Sequence, residues 1–340
     1  MRVNYNPNKD LKGEIKSYKH RIIIPVYIPE LSNYHINALE ILKISINTLL
    51  DTISFNSAIT VVNNGSCKEV VAYLNDLFLE NRIQDLIHAQ KIGKLNSIIK
   101  ALKSSSEPLI TITDADVYFK PNWLSKTMDV FNNFPKAGVV GIVPQFKQYE
   151  NWGYNIIFDN LFNSNINFTE VNNANGLIKF YKSIGWNDDY NKSYLKYNLT
   201  VKSNIDTNLK AVIGSGHFVA TYKRKLFDSD LKFTDYLLGG NTEGDYLDKP
   251  CVKKDLWRLT TNGNYGYHMG NILEPWMKDK IDYSLQDEIS IDLSKETNEI
   301  VKDKFFYFLL KTILMRLFYK RFKSKFYKKW GLPKELHSTY

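Results

Sequence analysis

Leu109-Ile110-Thr111-Ile112-Thr113-Asp114-Ala115-Asp116-Val117 is the stretch on which the reading of this chain turns. Its first five residues are apolar or β-branched and suit a buried strand, and two carboxylates follow at the strand's end. Alternation along an extended segment puts Asp114 and Asp116 on the same side. Two like charges that close raise one pKa unless a cation sits between them, and hard divalent metals prefer oxygen ligands of this kind. The pair therefore reads as a Mg²⁺ or Mn²⁺ site, which with few protein ligands would bridge to the phosphates of a nucleotide diphosphate. An isolated Asp-x-Asp can equally be a solvated helix cap, so its surroundings have to decide.

Working outward, residues 21–28, 58–63, 83–89, 108–113 and 137–144 are apolar, β-branched runs bounded by turns, and they read as strands. Between them Ile36, Leu39, Leu42, Ile46, Leu49 and Ile53 keep helical spacings, as do Val70/Leu74/Leu77 and Leu95/Ile98/Ile99/Leu102. Strands alternating with helices mean parallel βαβ units, and ligands of such sheets sit beyond the carboxyl ends of the strands. That places Tyr27, residues 63–66 and residues 114–116 around one crevice. From 145 to 210 the periodicity fades into Asn, Tyr and Lys, which predicts loops, short helices and an edge hairpin. Residues 212–222 then read as a Gly-rich strand, 244–258 as a helix and 262–271 as a closing segment.

The chain has 340 residues, 44% of them hydrophobic and 24% charged, which excludes collagen-like, disordered and disulfide-scaffold classes. Two cysteines, Cys67 and Cys251, make neither a disulfide framework nor a zinc site and fit a reducing cytoplasm. The polar start, residues 1–19, lacks the apolar core of a signal peptide, and the best apolar run, 305–310, stops at Lys311, far short of a membrane span. Of the formal charge of +9, the segment from Val301 to Trp330 holds ten Lys/Arg against one Asp, so the rest is neutral. A neutral body argues against a nucleic-acid groove.

Four segments in order carry a resemblance: Ile22-Ile23-Ile24-Pro25-Val26-Tyr27, Ile59-Thr60-Val61-Val62-Asn63-Asn64-Gly65-Ser66, Gly93-Lys94-Leu95-Asn96 and Thr113-Asp114-Ala115-Asp116. With them the chain resembles the family 2 glycosyltransferases of the GT-A fold over residues 21–271. Gly214-Ser215-Gly216-His217-Phe218, Glu243-Gly244-Asp245 and Tyr267-His268-Met269-Gly270-Asn271 look like the family's acceptor-side strand, acidic helix start and closing His segment.

The resemblance implies an α/β fold: a Rossmann-like, mostly parallel sheet flanked by helices, with a helical tail. It implies a donor site in which Pro25, Val26 and Tyr27 line the base and ribose pocket, Lys94 reaches the nucleotide or its phosphates, and Ala115 lies between the two aspartates. Asp114 would meet the ribose and metal, Asp116 the metal, and His268 the metal or diphosphate. Asn63 stands where the family usually has an Asp that bonds the base; an amide both donates and accepts, so the base stays open, with a UDP-sugar the first expectation. Asp245 is the preferred catalytic base, with Glu243 its competitor. The implied reaction is a single inverting displacement in which the base deprotonates an acceptor hydroxyl of a saccharide. Outside catalysis, His268 reads as a hydrogen-bonded structural histidine, and the two acids as complements to a helix dipole.

Within the tail, Phe306, Leu310, Ile313, Leu314, Leu317, Phe318, Phe322 and Phe326 recur at near-helical spacing, with Lys and Arg between them. A cationic amphipathic helix of this type adheres to anionic lipid, each basic residue contributing about 1 kcal/mol; the alternative is a helix packed on the body or on a partner subunit. The expected organisation is an extension over 1–18, a nucleotide-sugar half over 19–145, an acceptor half over 146–285, and a linker with the basic tail over 286–340. A cytoplasmic enzyme peripheral on the inner face of the cell membrane follows, its acceptor polyprenyl-diphosphate-linked and used for surface polysaccharide. Two other readings are a membrane-attached, non-catalytic scaffold and a sugar nucleotidyltransferase; the latter wants a Gly-rich basic signature where Pro25-Val26-Tyr27-Ile28-Pro29 stands.

Overall fold

Strand β1 (His20–Val26) places Ile22, Ile23 and Ile24 almost wholly out of solvent, the mark of a strand covered on both faces. A computed structural model describes residues 4–6, 8–13, 16–227, 231–279, 291 and 304–340. The linker expected from residue 286 (Ile291 apart) and the start of the tail, 301–303, lie outside the described residues.

After β1 come α1 (Ala38–Leu50), β2 (Ser57–Asn63), α2 (Lys68–Leu79), β3 (Asp85–His88), α3 (Lys94–Lys103) and β4 (Leu109–Thr113). Here β3, β2, β1 and β4 lie side by side, all parallel. Apolar positions three and four apart on α1, among them Leu42, Ile46 and Leu49, are buried against the sheet. Beneath, His20 lies wholly buried between Ser57 Oγ (2.9 Å) and Thr111 Oγ1 (2.7 Å), and burial pushes its pKa down to about 3.

The chain then forms β5 (Val117–Phe119), α4 (Trp123–Asn133), β6 (Ala137–Gly141), α5 (Tyr154–Asp159), β7 (Ile166–Glu170), α6 (Ala174–Ser183), β8 (Tyr197–Lys202), β9 (Lys210–Ile213) and β10 (Val219–Lys223). It continues through α7 (Lys249–Lys253), β11 (Trp257–Thr261), β12 (Gly266–His268) and α8 (Phe305–Lys329). The ten-stranded sheet runs β3-β2-β1-β4-β10-β6-β11-β9-β8-β7, with β10, β9 and β7 reversed; β5 and β12 pair separately as a two-stranded antiparallel ribbon. The fold is mixed α/β with a central, mostly parallel sheet flanked by helices. Between 145 and 210 the sheet edge is an antiparallel pair, β7 and β8, but not the expected hairpin, because α6 lies in the connection between the two strands.

Two readings of the sequence are corrected. Residues 212–222 form two strands, β9 and β10, which are not neighbours: β9 lies between β11 and β8, and β10 between β4 and β6. Gly214, at φ +99°, turns the chain out between them, in a region that L side chains avoid. The helix expected over 244–258 is one turn of π-helix, Gly244–Asp248, followed by the short α7, and Arg258 belongs to β11.

The tail packs on the body. From α8, Phe308, Lys311, Met315 and Tyr319 are buried, and the helix lies on α5. The Lys311 amine reaches Asp159 (2.6 Å) and Asp255 (2.8 Å), which also hold Lys136. Past the helix, Trp330 C=O accepts a 2.7 Å hydrogen bond from Phe168 N of β7, so the tail covers the sheet's edge strand. The apolar face expected on this helix is not the buried one: Phe306, Leu310, Ile313, Leu314, Leu317 and Phe318 are exposed, and Phe322 and Phe326 are half-buried.

Candidate functional site

The carboxyl ends of β1, β2 and β4 open onto a cavity of about 510 Å³, as parallel-sheet topology requires. Pro25, Val26, Tyr27, Lys94, Asp114, Ala115 and Asp116 all line it. Asn63 does not. Its side chain is buried, accepting from Ser66 N (2.9 Å) and contacting His88 Nδ1 (2.9 Å), and the neighbouring Asn64 lines the cavity instead.

Gly93 opens α3 at φ +94°, and a Cβ there would lie 2.8 Å from Leu237 Cα. This lets residues 236–238 close onto the helix start, where Lys94 N donates to Leu237 C=O (3.0 Å), so Leu237 and Leu238 form part of the cavity wall. No periodicity marks this loop; the sequence reading expects pocket wall from about Leu238 to Asp245, and the wall begins one residue earlier, at Leu237.

Long-range pairing assembles the acidic centre. β12 runs antiparallel to β5 with His268 opposite Val117, and Met269 N donates to Asp116 C=O (2.8 Å). His268, 152 residues after Asp116 in the chain, is thereby brought to the aspartates: Nε2 lies 3.4 Å from Asp116 Oδ2, while Ser183 Oγ, 2.9 Å from Nδ1, orients the ring. Asp114, Asp116 and His268 each offer a ligand atom, all within 4.8 Å of one another. Asp116 Oδ1 is buried with no hydrogen-bond partner among the described residues, and burial raises the Asp116 pKa to about 6. A carboxylate that keeps one buried oxygen unpartnered and lies beside a second carboxylate and an imidazole fits a divalent cation. Ser183 lies in the stretch where periodicity fades, and nothing in the sequence pointed to it.

Beside this centre Lys94 Nζ contacts both Asp114 (2.6 Å) and Glu243 (2.6 Å). Burial works against its charge, but the two carboxylates outweigh burial and hold its pKa above the ordinary value. Glu243 also faces His217 Nε2 (3.7 Å), whose Nδ1 lies 3.3 Å from Asp248 Oδ2. Burial opposes a charge on His217 too, yet Asp248 and Glu243 raise its pKa. Arg258, from β11, completes the row at 2.7 Å from Asp248. His217, Asp248, Arg258, Phe180 and Phe218 border a second cavity of about 270 Å³. Asp114 N donates to Phe218 C=O (2.8 Å), so the two cavities adjoin across β4 and β10.

Asp245 stands elsewhere. Its side chain is 46% exposed, against 20% for Glu243, and it pairs with Lys249 one turn on and with Asn241. The five-residue π-turn separates the two acids: Glu243 looks towards Lys94 and His217, Asp245 towards solvent and the flank of α7.

Residues 22–186 match the family described as Glycosyl transferase family 2. Over this segment the chain resembles the family 2 glycosyltransferases. Solved structures similar to the chain include a mannosyltransferase, PcManGT from Pyrobaculum calidifontis in complex with GDP-Man and Mn²⁺, at 13% identity and TM-score 0.37. That match covers 63% of this chain and 46% of the other. S. aureus TarS 1-349 matches at 13% identity and TM-score 0.46 over 74% of this chain and 60% of the other, and the same protein in complex with UDP-GlcNAc at 12% identity and 0.43 over 77% and 62%. This chain thus spans about half to three fifths of the length of those chains. Among the described residues no helix is long and apolar enough to cross a membrane.

Proposed function

We propose that this chain is a metal-dependent, inverting glycosyltransferase that moves a sugar from a nucleoside-diphosphate donor, a UDP-sugar first among the candidates, to a hydroxyl of a saccharide. One observation carries the reading: Glu243 stands between Lys94, on the wall of the larger cavity, and His217, on the wall of the smaller one, beside the Asp114–Asp116–His268 cluster. The larger cavity suits the donor, its base and ribose against Pro25, Val26 and Tyr27 and its phosphates toward Lys94. The smaller suits the acceptor ring, bounded by Phe180, Phe218 and amide side chains.

Asp114, Asp116 and His268 would hold Mn²⁺ or Mg²⁺, which when bound supplies positive charge to the diphosphate. Geometry supports Glu243 over Asp245 as the base, the reverse of the preference read from the sequence, because of the two acids only Glu243 contacts a wall residue of each cavity, Lys94 and His217. In the step itself the acceptor oxygen bonds to the anomeric carbon as its proton passes to the Glu243 carboxylate. The bond from that carbon to the diphosphate oxygen breaks, the oxygen keeps the electron pair, and configuration inverts. Lys94 faces the charge that accumulates on the leaving diphosphate, where a fixed cation lowers the barrier.

The setting we propose is an enzyme peripheral on the inner face of the cell membrane, working on a polyprenyl-diphosphate-linked acceptor in surface polysaccharide synthesis; the basic tail supports it. A thermal-shift and turnover screen of UDP-, GDP- and dTDP-sugars with and without Mn²⁺ tests the transfer reading, since a ligand that binds the native state raises Tm. Metal-dependent shifts with turnover support it. No nucleotide binding and no turnover would favour the scaffold reading instead.

A further inference from the structure

Helix α8 has two apolar sides, and the body covers only one. The docked side carries Phe308, Met315 and Tyr319, with Lys311 closing on Asp159 and Asp255. Turned half a circle away at 100° per residue, Phe306, Leu310, Ile313 and Leu317 form a ridge in solvent, flanked by Leu314 and Phe318. Phe306 is 74% exposed and Leu317 64%. Water makes so continuous a ridge costly, and ridges of this kind mark surfaces that meet an apolar phase.

The charges around the ridge say which phase. No acidic residue occurs anywhere in α8. Arg316 and Lys320 border the ridge on one side and Arg321 on the other, all three exposed and all before the kink at Phe322. A second copy of the same helix would bring these cations together, so self-association through this face works against its own charge. A leaflet carrying anionic lipid offers hydrocarbon to the ridge and negative headgroups to its flanks.

We propose that the exposed ridge of α8 is a preformed bilayer-contact surface: Phe306, Leu310, Ile313 and Leu317 enter the headgroup–acyl boundary of an anionic membrane while Arg316, Lys320 and Arg321 remain among the headgroups. The Lys311 ion cluster and the buried Met315 and Tyr319 hold the helix folded and its ridge outward before any lipid is met, so binding orders no new helix. The surface gives physical form to the membrane attachment proposed above and rests on that attachment, not on the sugar-transfer chemistry.

Co-sedimentation of the full chain with vesicles of pure phosphatidylcholine, or of phosphatidylcholine with about one third phosphatidylglycerol, tests it, alongside sedimentation velocity without lipid. The expected result is binding to the anionic vesicles that weakens in high salt. The Leu310→Ser/Leu317→Ser pair should lower it at least about tenfold, and Arg316→Glu/Arg321→Glu should lower it likewise. Both pairs replace exposed side chains, so unchanged circular dichroism and Tm keep the comparison valid. Equal binding by the wild type and the Leu310→Ser/Leu317→Ser variant overturns the proposal, and so does a dimer that this variant dissociates. Donor turnover measured in the same samples separates the two readings: vesicle binding without turnover removes the transfer reading and leaves this one standing.

Discussion

Among the described residues, the clusters around Lys311 and Lys94 each bring a lysine to two carboxylates, and they differ in one respect. Around Lys311 the accounts balance: Asp159 and Asp255 face Lys311 and Lys136, and Trp257 Nε1 donates to Asp159 (2.9 Å) as well. Around Lys94 they do not, because Asp114 and Glu243 share the one amine while Asp116, close by, keeps a buried oxygen with no partner among the described residues. The first cluster lies between a helix and the body that carries it; the second borders a cavity. A closed set of charges holds elements together, whereas an open set beside a cavity waits for a ligand.

If that distinction is real, the open cluster should be dispensable for folding and indispensable for chemistry. Asp116→Ala is expected to lower sugar transfer by about three orders of magnitude or more, and to abolish the Mn²⁺-dependent thermal shift, while Tm without metal stays the same or rises. Full transfer by this variant would remove the metal centre from the account. Within the same cluster Glu243→Gln is expected to cost about 10²–10⁴-fold in kcat and Asp245→Asn less than about fivefold, measured as initial rates at saturating donor. The opposite ranking would return the base to Asp245.

The closed cluster should behave the other way. Lys311→Met leaves Asp159 and Asp255 buried with Lys136 as their remaining cation, and the expected loss is about 3–5 kcal/mol in denaturant unfolding. Sugar transfer below the new melting point should be untouched. A loss below about 1 kcal/mol would show that the tail helix is held by its aromatic contacts and not by the charge cluster.

How much of this the sequence disclosed follows the range of the contacts. In the first half strands and helices alternate and the periodicities are local, so β1 to β4 and the crevice at their ends were legible from spacing. Lys94 and the two aspartates sit at element ends within that half, where pattern and chemistry coincide. The rest depends on pairings across long separations. Nothing local shows that β9 and β10 belong to different parts of the sheet, or that Ser183 meets His268. Nor does the spacing of Glu243 and Asp245 reveal that only Glu243 meets Lys94 and His217. In α8 the helical period was legible but its orientation was not, because both sides are apolar and the side that faces the body is set by long-range partners, the acidic pair around Lys311 and the aromatic rings that meet Phe308 and Tyr319.

The two clusters also titrate with opposite signs. The lysines and Trp257 overcome burial and hold Asp159 below its ordinary pKa, so its contribution to stability is present above the unfolded value and disappears as pH falls through the lower, folded one. Asp116 is raised to about 6, so without metal the folded state binds its proton more tightly, and stability from this group is gained as pH falls from about 6 toward about 4. The difference in unfolding free energy between wild type and Asp116→Asn should therefore change by about 2–3 kcal/mol across that window, favouring the wild type at the acid end. A flat difference would mean that Asp116 is already satisfied.

The smallest effect probes the open cluster from outside. Ser183 touches no substrate in the proposed arrangement; its hydroxyl bonds His268 Nδ1 and so turns Nε2 toward Asp116. Orienting partners of this kind typically contribute about 10–100-fold in metal affinity. Ser183→Ala should therefore raise the Mn²⁺ concentration for half-maximal activity by about tenfold and leave kcat at saturating Mn²⁺ within about twofold. Ser183→Thr, which keeps the hydroxyl, should restore most of the affinity. If kcat fell and the metal dependence stayed unchanged, Ser183 would be shaping the donor cavity and not the metal ligand, and His268 would lose the strongest argument for its place in the cluster.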